Sequence, residues 1–239
     1  MIRRTIGILM LTVVLLFSTA TTGVTAETGP SDILRQKSQK VLDIIGDTAY
    51  RTPEQINRVR DQLIREVKPL FGFREMTLRS LGHFARQLNS EQINQLTDLF
   101  QQLLEKVYVE RLTKHLTETN KPLKIKSFKI TGEERKGRYA RVHSKLSFLK
   151  GDKSTSVQVN YKMVNRHGEW KIYDLEVEDL SIISNYRDQF TEILTNYSVD
   201  YLMKKIHKMI AKKDQALQSN PNGSTEERRQ DSSSSKVTK

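Results

Sequence analysis

The fold is decided between Lys124 and Glu178, KIKSFKITGEERKGRYARVHSKLSFLKGDKSTSVQVNYKMVNRHGEWKIYDLEVE. Apolar residues recur here at every second position, the period of a β-strand with one face covered. Four strands are predicted, at Lys124–Glu134, Arg138–Leu149, Thr155–Asn165 and Glu169–Glu178. Between them lie Arg135-Lys136-Gly137, Lys150-Gly151-Asp152-Lys153 and Arg166-His167-Gly168, each short and each holding a glycine. Connections this short join only antiparallel neighbours, so the strands form a meander. In the second strand Ala140, Val142, Leu146 and Phe148 share a face, opposite Arg141, His143 and Lys145. In the third, Val157, Val159, Tyr161 and Met163 oppose Gln158, Asn160 and Lys162. In the fourth, Tyr173, Leu175 and Val177 align, and strict alternation turns Trp170 and Ile172 the other way. One sheet face is therefore apolar and needs a cover.

The cover is sought in the flanking sequence, where the period changes to three and four. Ile33, Leu34, Val41, Leu42 and Ile45 mark a helix ending near Gly46. A second opens at Thr52-Pro53-Glu54-Gln55, with threonine as N-cap, proline in the first turn and glutamine completing a capping box. Ile56, Val59, Leu63, Ile64 and Val67 form its stripe, and Pro69 ends it. A short helix is expected over Phe73–Phe84, and a long one from a Ser90 cap through Leu112, closed by Asn120 and Pro122. After the strands, helices are expected at Asn185–Leu194 and Ser198–Lys213. The fold class is α+β: a helical N-terminal half packed on a four-stranded antiparallel meander, with terminal helices.

The ends read differently. Arg3 and Arg4 precede an uncharged apolar run, Ile6–Phe17, and small residues ending at Val24-Thr25-Ala26. This is the pattern of a secretory signal peptide, predicted to be cut after Ala26. The apolar run falls short of the ~20 residues that cross a bilayer. From Gln215 to Lys239 the chain is polar, with the run Ser232–Ser235, and is expected to stay disordered. The expected organisation is thus a leader at 1–26, one domain at 27–214 and a tail at 215–239.

The 239 residues include no cysteine, which excludes disulfides, thiol nucleophiles, iron–sulfur clusters and cysteine-bearing zinc sites. Export without cysteine suits a bacterial envelope protein. Lys and Arg number 40 against 28 Asp and Glu, a net charge of +12 that calls for an anionic partner. Export argues against nucleic acid and leaves membrane surfaces and acidic proteins. His83, His115, His143, His167 and His207 are scattered without metal-binding spacing, and no P-loop, dinucleotide fingerprint or nucleophile elbow occurs. The carboxylates at Glu133-Glu134 and Glu176, Glu178 and Asp179 read as solvated charges. No catalysis, cofactor or metal is expected. Phe71, Phe73, Met76, Leu81 and Phe84 have two readings, ordinary core or the wall of a cavity for an apolar ligand.

Two longer segments carry a resemblance. Phe71–Tyr108, FGFREMTLRSLGHFARQLNSEQINQLTDLFQQLLEKVY, resembles the periplasmic phospholipid-binding proteins of the MlaC, or toluene-tolerance, type. Gly168–Phe190, GEWKIYDLEVEDLSIISNYRDQF, is similar to that family's W-K-V-Y-D stretch and its N-Y-R-x-Q-F motif, here Asn185, Tyr186, Arg187, Gln189 and Phe190. The chain departs from the family at Ala85, where tryptophan is frequent, and at Glu178-Asp179-Leu180-Ser181, where E-G-V-S is common. The resemblance implies a soluble periplasmic carrier that holds a glycerophospholipid as cargo. It would ferry lipid between an outer-membrane lipoprotein complex and an inner-membrane ABC transporter with an MCE-domain subunit, maintaining outer-membrane asymmetry. The alternative is a basic adaptor that docks on envelope complexes without carrying lipid.

The lipid-lining candidates are then Phe71, Phe73, Met76 and Phe84, with Tyr186, Arg187 and Phe190 from the later helix. The sheet adds Val142, Leu146, Phe148, Val157, Val159, Tyr161, Met163, Leu175 and Val177. Arg187 has two readings, a cap on strand carbonyls or a donor to a lipid phosphate. The Phe71–Phe84 segment and the Asn185–Leu194 helix are expected to form a movable rim, with turns at Gly72, Gly82 and Ser184. Between Lys121 and Lys145 lie nine Lys or Arg against two Glu. Lys124, Lys126, Lys129, Arg135, Lys136, Arg138 and Arg141 are the candidates for docking on an anionic surface from the sheet's exposed side, a solvated edge being the alternative.

Overall fold

The computed structural model describes residues 28–46, 52–109, 125–150 and 153–218. The predicted leader, the closure of the long helix at Asn120 and Pro122, and the tail beyond 218 lie outside these. Among the described residues the order is α1 (Pro30–Gly46), α2 (Pro53–Val67), α3 (Phe73–Leu81), α4 (Ser90–Leu104), β1 (Ile125–Lys136), β2 (Tyr139–Lys150), β3 (Lys153–Arg166), β4 (Glu169–Val177), β5 (Leu180–Ser181), α5 (Ile182–Asn196) and α6 (Val199–Gln218). The strands pair in sequence order, all antiparallel.

The helix starts follow side-chain chemistry. Thr52 Oγ1 accepts from Gln55 N at 3.3 Å and Gln55 Oε1 accepts from Thr52 N at 3.0 Å, the reciprocal box read from the sequence. At α4 the cap is Asn89, not Ser90: Asn89 Oδ1 accepts from Gln92 N at 2.9 Å and Gln92 returns the bond at 3.1 Å. Asparagine caps as well as serine, and only residue 89 puts a glutamine at the third helical position. A cap of this kind is worth ~1 kcal/mol. The helix after α2 begins at Phe73 as expected but ends at Leu81, and Gly82 leaves it with φ +57° for a 3-10 stretch, Gly82–Gln87. Leu104 passes into a π-helical turn, Glu105–Val109. α6 continues to Gln218, so Gln215–Gln218 are helix.

The sheet corrects one face assignment. Met163 pairs with Ile172 and Lys162 with Asp174, which leaves Tyr173 as an extra residue on β4. This bulge shifts the alternation by one. Trp170 and Ile172 before it, and Leu175 and Val177 after it, therefore share the apolar face with Met163, Tyr161 and Val159. Tyr173 turns to the other side, where the Arg79 guanidinium of α3 lies 3.9 Å from its ring centroid. Two further register shifts, at Lys126 and Thr131 of β1, bring Ile125, Phe128 and Ile130 to the apolar face together.

Three apolar clusters result. The largest is helical, with Met76, Leu81, Leu96, Phe100, Leu103, Ile183, Tyr186, Phe190, Leu202 and Ile206 buried from α3, α4, α5 and α6. Phe100 meets Tyr186 and Phe190 edge-on, with centroids 4.9 and 5.5 Å apart. A second cluster joins Leu34 of α1 to Ala140, Val142, Met163, Trp170 and Ile172 of the sheet. A third joins Ile45 to Val59 and Leu63 between α1 and α2, with Ile125 against it. Phe71 packs on both the first and the second, and Gly72 N donates to Ile172 O at 2.9 Å.

Charged latches tie helices to sheet. Asp174 is buried on the outer face and accepts from Ser181 Oγ at 2.7 Å, Ile183 N at 3.1 Å and Lys162 Nζ at 3.1 Å. It fixes the first turn of α5 onto β4. Glu176 also pairs with Lys162, and lies 3.5 Å from Arg141. Burial opposes the charge on Lys162, but its bonds to Glu176 and Asp174 outweigh that and hold its pKa above the ordinary value. Glu75 of α3 pairs with Arg79 at 2.9 Å and with Arg166 at the end of β3. Burial works against its charge too, yet the two arginines hold the carboxyl below its usual range.

Candidate functional site

Pairing across the sheet lays the apolar face out in rows. Nearest the Arg138 end lie Ala140, Met163 and Ile172, then Val142, Tyr161 and Leu175. Next come Ile130, Ser144, Val159 and Val177, then Phe128, Leu146 and Val157, and last Ile125, Phe148 and Thr155. The first end is buried under Leu34, Leu70 and Phe71. Toward the other end the same face is only half-buried: Ile130, Phe128, Leu146, Phe148, Val157 and Val159 are neither closed off nor open, and Val177 is exposed. Phe128, Leu146, Phe148, Val157, Val159 and Val177 join none of the core clusters formed among the described residues. This apolar strip, continuous with the core but outside the clusters formed among the described residues, is the candidate site. A polar feature lies deep in it. Ser144 Oγ is buried and donates to Val159 O at 2.9 Å, and Tyr161 lies beside it. Burial, against a smaller opposing effect of a Ser144 hydrogen bond, pushes the Tyr161 phenol up to about 12, so it stays neutral.

The candidate residues divide. Leu146, Phe148, Val157, Val159, Tyr161, Leu175 and Val177 fall on or beside the strip, with Val142 and Met163 at its buried end. Met76, Tyr186 and Phe190 are buried in the helical cluster, where Phe73 also packs. Phe73 stacks on Phe71 at 5.8 Å, and Phe84 lies against the His83 ring at 4.1 Å. Arg187 Nε donates to Arg79 O at 2.8 Å, so it caps the end of a helix, α3, and not strand carbonyls. That bond and the shared core make α3 and α5 one block, and Ser184 stands inside the first turn of α5, not at a turn between elements. Phe128 and Ile130 were not anticipated for the site. Their signal is blurred in sequence because two bulges break the alternation of β1.

The basic hairpin also divides. Lys124 lies outside the described residues. Arg135 sits on the apolar face, pairing with Glu133 and reaching over the Trp170 ring at 5.7 Å. Glu133 in turn accepts from Ser31 N at 3.0 Å at the start of α1. Arg135 thus belongs to a latch on the face opposite the one expected, with its side chain still exposed. Burial opposes the Glu133 charge, but Ser31 and Arg135 hold its pKa below the ordinary value. Arg141 faces Glu176, and Arg138 donates to Tyr139 Oη at 3.0 Å. Lys126, Lys129, Lys136 and Lys145 are exposed, with Lys129 directly across from Lys145 on the polar face. That pair has no carboxylate partner among the described residues and is the remaining positive patch of the hairpin.

Comparison with known proteins gives three findings. The family model "MlaC protein" matches residues 35–208. The intermembrane phospholipid transport system binding protein MlaC of Haemophilus influenzae is 22% identical over 197 residues, covering 82% of this chain and 89% of that protein. A phospholipid-binding protein from Ralstonia solanacearum, solved in complex with a phospholipid, superposes with a TM-score of 0.58. It is 20% identical and the match covers 76% of this chain and 97% of that one, a likeness of fold.

Proposed function

The chain belongs to the MlaC protein family, and on that premise we propose that it is the phospholipid-binding component of an intermembrane transport system, a carrier and not an enzyme. The observation that carries this reading is the strip of half-buried Phe128, Leu146, Phe148, Val157 and Val159 with exposed Val177, an apolar face that the three core clusters formed among the described residues leave unused. Acyl chains are its occupant. The Haemophilus relative is named as a phospholipid transport binding protein, and the Ralstonia structure holds a phospholipid, which supports the same cargo here.

The energetics suit a carrier. A buried methylene is worth ~0.8 kcal/mol, so two chains with about 28 buried methylenes gain ~22 kcal/mol in the protein. The lipid forfeits a similar amount on leaving a bilayer, so the exchange is near balance and the obstacle is passage through water. The protein works in the periplasm, between an outer-membrane lipoprotein complex and an inner-membrane MCE-domain ABC transporter. A passive carrier sets no direction; the energised partner does. The hairpin lysines Lys126, Lys129 and Lys145 supply a docking charge toward those complexes.

Organic extraction of freshly purified protein, followed by mass spectrometry, tests this. Stoichiometric phospholipid is expected, and Val159→Glu, which places a charge on the strip, is expected to abolish it while the circular dichroism stays native. Folded wild-type protein without lipid would reject the carrier in favour of an adaptor.

A further inference from the structure

The outer face of α6 pairs exposed lysines with exposed tyrosines. Leu202 and Ile206 bury one side of the helix in the helical cluster. On the opposite side of α6 Tyr201, Lys205, Lys208 and Lys212 follow at steps of four, three and four, which aligns them along about 17 Å of helix, and Tyr197, the extended residue that ends α5, stands beside Tyr201. Lys204 flanks the row. Tyr197 and Tyr201 are 55% and 40% exposed, although their rings stack on each other at 4.2 Å. Stacking fixes two large amphipathic rings without burying them. The lysines are exposed and have no ion-pair partner among the described residues, whereas Arg135, Arg141 and Lys162 of the sheet are all paired internally. Asp200 is the one acid between Val199 and Lys212.

We propose that this face is a membrane-contact surface for anionic phospholipid, with Lys204, Lys205, Lys208 and Lys212 above the head groups and the Tyr197–Tyr201 pair seated at the interface. Charge complementarity selects a dense anionic surface. The residue types select lipid over an acidic protein: lysine is a mobile point charge on a long apolar stem, and tyrosine offers an apolar ring with a wet tip, the pair found at the head-group level of bilayers. An acidic protein partner would favour the bidentate fork of arginine, and α6 contains none. The surface is separate from the lipid strip, so it stands whether or not the protein carries cargo.

Flotation of the purified protein with phosphatidylcholine vesicles, with and without phosphatidylglycerol, tests it. Binding is expected only with phosphatidylglycerol and should weaken as salt screens the lysines. Each lysine near an anionic surface is worth about fivefold in partitioning, so Lys204→Gln, Lys205→Gln and Lys208→Gln together should weaken it about a hundredfold. Tyr197→Ser with Tyr201→Ser should weaken it about tenfold at any salt. These positions are exposed, and an unchanged circular dichroism spectrum and thermal midpoint confirm that each variant is folded. Lys126→Gln, Lys129→Gln and Lys145→Gln on the hairpin should leave vesicle binding unchanged. The proposal is overturned by absence of binding to phosphatidylglycerol vesicles, by equal loss in the hairpin variant, or by an α6 face that captures an acidic protein and no vesicle.

Discussion

The helical cluster and the sheet strip are both apolar, and both were legible as apolar from spacing alone, yet they are finished differently. Around Phe100 every side is met by protein, with Tyr186, Phe190, Leu96 and Leu103 closing on it. Along Phe128, Leu146 and Val157 the residues have the same character but join none of the clusters formed among the described residues. Protein completes the first region; in the proposed function a ligand completes the second. Stability should therefore reside in one region and cargo in the other.

Phe100→Ala should separate them most forcefully. Removing a fully buried ring leaves a cavity and is expected to cost ~3–5 kcal/mol in urea unfolding, with lipid per folded molecule unchanged. Phe148→Ala should do the reverse: a shift of less than ~1 kcal/mol in lipid-free protein, with a reduced lipid load. If both variants lost lipid and stability alike, the division into two regions would collapse.

Tyr161 offers a pH test at the boundary between the regions. Its folded pKa, about 12, lies above the unfolded value of ~10. A raised pKa means that the stability linked to the neutral phenol is complete below pH ~10 and is lost as pH rises toward 12. Tyr161→Phe should remove this alkaline loss, ~3 kcal/mol at its limit, and leave the acid limb unchanged. The acid limb belongs to Glu75 and Glu133, whose lowered pKa values give stability present above ~4.3 and lost as pH falls below it.

The smallest expected effect is at the β4–β5 turn. Glu178 and Asp179 have φ of +50° and +64°, a left-handed pair that glycine adopts more easily. Asp179→Gly should raise stability by up to ~1 kcal/mol without touching lipid load. The turn also leaves Leu180 76% exposed at the edge of the strip, next to Val177.

How far the sequence carried can be judged at particular residues. The Thr52 capping box and the three-loop meander follow from local chemistry, and local chemistry is written in adjacent letters. The bulge at Tyr173 is not, because it is chosen by distant partners: it lets Asp174 meet Lys162 and Ser181 while Ile172 and Leu175 both face inward. The helical aromatics could not be assigned between core and cavity, since alternation reports that a side chain is covered and not by what. The charge of the first hairpin can be counted in the sequence, but a count cannot see that Arg135 and Arg141 have carboxylate neighbours.

The latches also set a timetable for the chain. Ser31 waits for Glu133, 102 residues later; Glu75 waits for Arg166, 91 residues later; Arg79 waits for Arg187, 108 residues later. Closing such long loops precedes any reward from the contacts they bring, so α1 stays unlatched to the sheet until β1 exists, and α3 until the end of β3 and then α5 exist. The N-terminal half is a set of parts held in readiness, and the segment from Arg166 to Arg187 is the last piece that turns them into one body.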